Sequence, residues 1–300
     1  MPPNLRAFFA DAGELFKNTF KEWYRKDPFR ESAVIAYYAI FSIPGLLVLL
    51  ITIVGYFFGK EAVSQSILEQ VSSIMGLSIA TQIKEMLIAG AKTQSTFWGA
   101  TIGISTILVG ATGVFVELQK AFNLIWEVKV VPSRGILPIL KVRFFSFGLI
   151  LAIAFLLTIS LVISTALAAM SKWIEADSAL WIINLLKVVN FIISLGVIST
   201  LFGLMFKILP DAKIKWKHVW LGSLVTGSLF TIGKTILGFY FGKVQPGSSY
   251  GAAGSVVLIL LWVSCSSMIM FLGAEFTAAY AKMYSNKVAP TEIARGVTNT

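Results

Sequence analysis

The sequence predicts an all-α fold: a polytopic membrane helical bundle of six transmembrane helices with both termini in the cytoplasm. Three observations carry this. Hydrophobic residues fill 56% of the 300 positions and charged residues only 13%, against roughly 25% charged in soluble domains. Six apolar stretches are long enough to cross a hydrocarbon core of about 30 Å, which takes about 20 helical residues. Lysine and arginine gather on alternate sides of those stretches. Mean hydropathy is +0.80, too apolar for one aqueous core.

The elements follow in order. Residues 1–32 read as a cytoplasmic amphipathic helix, because Leu5, Phe8, Phe9, Leu15, Phe16, Phe20 and Trp23 recur at helical spacing between Asp11, Glu14, Lys17 and Lys21. Such a helix lies in the membrane interface. These residues contain no short apolar stretch with a cleavage site, so a removable signal peptide is not expected. Residues 33–281 form the six-span membrane domain. Its spans are Ala33–Phe58, Phe97–Glu117, Phe144–Met170, Leu180–Phe206, Val219–Gly242 and Ser255–Tyr280. Helices satisfy their own backbone hydrogen bonds in lipid. Residues 60–92 read as an extracytoplasmic amphipathic segment of two short helices broken near Gly76, either a re-entrant or surface-lying cover or a lid over a cavity. Residues 282–300 are a cytoplasmic tail.

Of the 25 lysines and arginines, eighteen lie on one side: six in residues 1–32, five in 118–143, four in 207–218 and three from 282 onward. Lys60, Lys84, Lys92, Lys172 and Lys243 lie on the other side, and Lys187 and Lys234 lie within spans. This split places both termini in the cytoplasm and explains the net charge of +10 without a nucleic-acid partner. The single Cys265 allows no intrachain disulfide and no thiolate cluster.

Three stretches carry a family resemblance. They are Ala36-Tyr37-Tyr38 with Ser42 and Pro44, then Lys207-Ile208-Leu209-Pro210-Asp211, then Tyr250-Gly251-Ala252 leading through Leu260-Leu261-Trp262 to Gly273-Ala274-Glu275. Over roughly residues 30–280 the chain resembles the YihY/BrkB family of bacterial inner-membrane proteins. The resemblance implies a six-span inner-membrane protein, with virulence or serum-resistance labels and a link to envelope lipid export. A ribonuclease label once attached to the family finds no support in these residues. The one histidine, His218, sits beside Lys217 and Trp216, and the fifteen acids do not cluster to hold catalytic metals. No enzyme, cofactor or metal is expected.

Intramembrane charges point to function, since each costs about 2.5–3.5 kcal/mol at mid-bilayer on insertion scales. Lys234 shares a small and polar face with Ser223, Gly227, Thr231, Gly238 and Gly242. That face either packs against another helix or lines a wet cavity. Lys187 shares a face with Asn190 and Ser194. Either lysine can snorkel to the headgroups; pointing inward, the two would make a positive site in the outer half of the membrane. Glu117 and Glu275 lie near the cytoplasmic surface. Glu275 is expected to contact Lys282 or Arg143 or to cap a neighbouring helix, with a proton-coupling carboxylate as the sharper alternative. Pro44 is expected to kink its span, leaving a carbonyl for a ligand or for a hydroxyl of Tyr37, Tyr38 or Ser42. The pairs Gly99/Gly103 and Gly238/Gly242 suit close helix packing. Ser228–Thr235 ends like a phosphate-binding loop but lacks its first glycine and lies in an apolar span. The leading functional reading is a passive or ion-coupled translocator of anionic or amphipathic envelope lipid. The alternatives are a small-anion transporter or channel and a scaffold for envelope assembly. Membrane lipids are the expected partners, and glycine-rich faces leave homo-oligomerisation open.

Overall fold

A computed structural model describes residues 5–75, 77, 80–81, 83–85, 88, 97–130, 180–244, 246–247, 250, 253–284 and 294–296. In chain order the elements are α1 (Leu5–Arg25), α2 (Pro28–Phe58), α3 (Lys60–Met75), α4 (Phe97–Ile125), β1 (Val128–Val130), α5 (Leu180–Ile208), α6 (Trp216–Val244), α7 (Gly254–Tyr284) and β2 (Ala294–Gly296). Five of the six expected spans fall on α2, α4, α5, α6 and α7. The sixth, Phe144–Met170, lies outside the described residues, as do Arg143 and Lys172. Three helices among the described residues are long and apolar enough to cross a membrane: Val188–Ile208, Trp216–Val244 and Val256–Tyr284.

The helices outrun the apolar stretches that predict them. α2 begins at Pro28, where a proline suits the first helical turn because its missing N–H has no intrahelical partner there. Asp27 before it takes a left-handed φ of 50°, and its carbonyl accepts from the Glu31 amide. Gly59, at φ 89°, separates α2 from α3, a conformation that favours glycine. α3 is described to Met75, and Gly76, where a break is expected, lies outside the described residues.

The described chain is almost entirely helical, as expected, with one short sheet added. β1 and β2 form an antiparallel pair, with Val128 opposite Gly296, Lys129 opposite Arg295 and Val130 opposite Ala294. Left-handed Glu127, at φ 53°, turns the chain out of α4, and the Val-Lys-Val alternation that follows suits a strand. Part of the expected tail therefore joins a sheet.

The chain forms two compact units. The first gathers Met1–Lys26, Phe122–Thr231 and Met270–Thr300. Its core contains Phe122 and Phe206, both fully buried, with ring centroids 5.7 Å apart, and Phe271 lies 6.2 Å from Phe122. These tilted pairs match the edge-to-face preference of aromatic rings. Phe276 of α7 meets Phe16 of α1 at 5.6 Å.

The second unit holds Asp27–Ala121 and Ile232–Ile269. Ile35, Ala36 and Ala39 of α2 are buried there, as are Leu258, Ile259 and Trp262 of α7. Added Cβ atoms at Gly110 and Gly113 of α4 would meet Ser42 and the Tyr38 ring, so small residues let these two helices approach closely.

Candidate functional site

Among the described residues of the first unit, the most buried charge is Glu275, with a side chain only 4% exposed. Its partner is Lys26, one residue past α1, with Nζ 2.5 Å from Glu275 Oε1 and a side chain 10% exposed. Lys26 Nζ also donates to the carbonyl of Ile125, the last residue of α4, at 3.1 Å. One ammonium thus meets a buried carboxylate and a carbonyl at a helix end, where intrahelical donors run out. Glu275 was expected to meet Lys282 or Arg143. Lys282 instead bonds Glu127 at 2.8 Å, and Arg143 lies outside the described residues.

A second clasp lies in the same unit. Asn123 Nδ2 donates to Asp211 Oδ2, and the Asp211 amide donates to Asn123 Oδ1, both at 2.8 Å. Both residues are buried. The reciprocal pair joins α4 to the Pro210-Asp211 turn, where Pro210 follows the end of α5.

Two four-residue steps lock α6 against α7. Thr226 Oγ1 donates to the Gly222 carbonyl at 2.6 Å, and Thr277 Oγ1 donates to the Gly273 carbonyl at 2.7 Å. Each threonine also packs on the other helix's glycine. A Cβ at Gly222 would lie 2.7 Å from Thr277 Cβ, and one at Gly273 would lie 2.7 Å from Thr226 Cβ. Both hydroxyls donate within their own helices, so what these two steps contribute between the helices is small-residue packing. Gly227 similarly approaches Ser199, and Gly203 approaches Ser223.

Lys234 stands on a different stretch of α6. At 100° per residue it lies opposite Ile232, Ile236 and Phe239, which are 58%, 62% and 63% exposed. Its own face carries buried Gly227 and Phe241 and half-buried Phe230, Thr231 and Gly238. Lys234 is half-buried and makes no ion pair among the described residues. Beside it, a Cβ built at Gly238 or Gly242 meets no described atom within 4 Å. Among the described residues, the expected close packing at Gly238/Gly242 is thus not found. Gly99/Gly103 lie on α4 where side chains are not described.

The other predicted positions divide. Asn190 and Ser194 are half-buried on α5, opposite exposed Leu185, Val188 and Ile192. Lys187 lies in the same helix, but its side chain is outside those described. Thr231 Oγ1 donates to the Gly227 carbonyl at 2.8 Å. Ser42 Oγ donates to the Ala39 carbonyl at 3.1 Å, rather than to the Ile40 carbonyl that Pro44 leaves free. α2 remains assigned as one helix through Pro44, whose side chain is not described. Tyr38 packs on Gly113, while Tyr37 is 58% exposed and meets Tyr38 and Phe41 edge-on. Glu117 pairs with Lys120 at 2.7 Å on its own helix. Among the described residues no three His, Cys, Asp or Glu side chains group to hold a metal ion. His218 is buried against Tyr280, with ring centroids 5.7 Å apart.

Sequence reasoning missed Lys26, Asn123, Asp211 and Glu127 as partners. A weak signal existed for Asp211, which follows Pro210 in a quoted motif. Lys26 had none, because its charge counts equally well as an ordinary positive-inside residue.

Comparison with known proteins gives the same class. A membrane protein named UPF0761 from Saccharophagus degradans is 25% identical over 93% of this chain and 62% of its own length. Another from Albidiferax ferrireducens is 28% identical over 71% of this chain and 50% of its own. A Pseudomonas aeruginosa relative is 26% identical over 81% and 57% respectively. The chain thus spans about half to three-fifths of the length of these relatives. No solved structure matches it. The profile described as "Virulence factor BrkB" matches residues 19–295, and with its membrane-length helices the chain belongs to this family of multi-pass membrane proteins.

Proposed function

We propose that the protein is a six-span inner-membrane translocator of anionic or amphipathic envelope lipid, with both termini in the cytoplasm. The observation that carries this reading is the setting of Lys234. A lysine in an apolar helix lies opposite the exposed apolar face and beside two glycines whose added Cβ would meet no described atom within 4 Å. A cation there suits an anionic headgroup crossing the membrane, because its charge is otherwise costly within lipid. Within α5, Asn190 and Ser194 lie half-buried, three and seven residues after Lys187. No ATP-binding signature occurs in the sequence, which supports passive or ion-coupled movement. A small-anion transporter is the second reading, since the same cation suits a small anion. The interlocked α6 and α7 glycines favour the scaffold reading for their own half only.

α1 fits a helix lying at the interface. Phe16, Phe20 and Tyr24 are 59%, 58% and 67% exposed at four-residue steps, and each is followed by exposed Lys17, Lys21 or Arg25.

The test is lipid movement between leaflets in proteoliposomes, comparing the wild type with the Lys187→Gln, Lys234→Gln double variant. Movement in the wild type and its loss in the variant is the expected result. Movement unchanged in the variant rejects these lysines. Wild-type movement no faster than in empty liposomes rejects passive translocation and favours the small-anion reading.

A further inference from the structure

The α5–α6 connection carries a feature that translocation does not use. Trp216 and Trp220 begin α6, 45% and 52% exposed, with rings 6.2 Å apart. Leu224 continues the same face at the next four-residue step and is 49% exposed. The stripe therefore starts with two indoles and runs into an apolar helix of membrane length. At 1.5 Å per residue, 29 residues span about 43 Å, against about 30 Å of hydrocarbon and 40–45 Å with headgroups. The first turns of α6 thus fall at headgroup level, where tryptophan concentrates.

The charge around this edge has one sign. Lys213, Lys215 and Lys217 are all exposed. Lys207 sits with Nζ 5.8 Å from the Trp216 ring centroid and donates to the Ile214 carbonyl, so it holds the ring against the turn. The only acid between residues 207 and 220 is Asp211, which is buried in its clasp with Asn123. It offers the surface little compensating charge.

The geometry points to a docking edge for anionic phospholipid: Trp216 and Trp220 seat in the headgroup layer, Lys213, Lys215 and Lys217 hold the phosphate-bearing headgroup, and an acyl chain follows Leu224. A soluble acidic partner would leave the indole-to-leucine stripe without a role, whereas a lipid uses both parts. Basic clusters next to a membrane helix attract anionic lipid through the surface potential. The inference does not depend on transport.

The test uses the full chain in nanodiscs containing phosphatidylcholine and phosphatidylglycerol, one of them brominated in each preparation. Indole quenching is read in the wild type and in Trp216→Phe, Trp220→Phe, so that the difference isolates these two rings. The expected result is at least about threefold stronger quenching of that component by the brominated anionic lipid, with the preference lost in Lys213→Gln, Lys215→Gln, Lys217→Gln. Equal quenching by both lipids, no quenching by either, or a preference that survives the triple substitution would each overturn the proposal. Because equilibrium headgroup preference is read, failure of lipid movement in proteoliposomes leaves this result separate.

Discussion

The two halves of α6 have similar ingredients and opposite surroundings. From Gly222 to Gly227 the helix offers glycine, serine and threonine, and its neighbours meet both glycines, Thr277 of α7 on Gly222 and Ser199 of α5 on Gly227, while its own Thr226 sits on Gly273 of α7. From Lys234 to Gly242 it again offers small residues, but no described atom lies within 4 Å of a Cβ built at Gly238 or Gly242. A small-residue stripe is therefore not one kind of object. Where a threonine methyl faces the glycine it is a packing seam. Where no described atom meets the glycine and a lysine stands beside it, the stripe is not a seam with α5 or α7. That difference motivates placing transport around Lys234 and structure around Glu275.

The largest test of this division is the buried pair. Glu275→Gln leaves the Lys26 ammonium buried without its counter-ion, which costs about 3–5 kcal/mol in comparable buried pairs. Thermal unfolding in detergent should show a steep loss for this variant. Lys26→Met with Glu275→Leu removes both charges at similar volume and should recover most of the stability. If Glu275→Gln instead stays folded and stops lipid movement, Glu275 is a working carboxylate and the division breaks.

A matched pair of glycine substitutions gives the next effect. Gly273→Ala places a Cβ 2.7 Å from both Thr226 Cβ and Thr226 Cγ2, and overpacking of this kind costs about 1–3 kcal/mol. Gly238→Ala meets nothing described and trades a flexible residue for a better helix former, a gain of up to about 1 kcal/mol. Unfolding midpoints should therefore move in opposite directions. Equal losses at both sites would mean that the second half of α6 is packed as tightly as the first.

The parts legible in the sequence are those set by local physics. Long apolar runs make helices, so α2, α4, α5, α6 and α7 lie where spans were read. Their ends were less legible, because Phe29-Arg30-Glu31 continues a helix although it is unfit for lipid, and hydropathy marks lipid rather than helix. Amphipathicity marked α1, but not which aromatic rings it buries: Phe16 meets Phe276 and is still 59% exposed. The pairing of Lys26 with Glu275 was beyond reach because the two stand near opposite ends of the chain and nothing local links them. The Val128–Val130 strand was hidden for a similar reason, since three residues show no periodicity without their partner. Lys234 was legible as a charge inside an apolar run. Its face became distinct only when Ile232, Ile236 and Phe239 were seen to be exposed opposite it.

The smallest effect concerns the rim of the packed unit, where Glu127 meets Lys282. The hydrogen bond from Lys282 holds the Glu127 carboxyl below its usual range, against an opposing push from burial, with Lys26 and Arg25 adding to the lowering. A carboxyl depressed in the folded state adds stability above its unfolded pKa of about 4.3, and that contribution fades as pH falls through the lower folded value. The side chains are 39% and 47% exposed, so solvent screening limits the pair to about 0.5 kcal/mol. The unfolding midpoint of the wild type should exceed that of Glu127→Gln slightly at pH 7, and the gap should close on acidification below about pH 4. Glu127→Gly separates charge from backbone, because Glu127 holds φ 53°, a conformation easier for glycine. A midpoint for Glu127→Gly at or above wild type would show that at this rim the turn out of α4 outweighs the ion pair. The buried Lys26–Glu275 contact would then stand as the one ionic tie in this group that stability depends on.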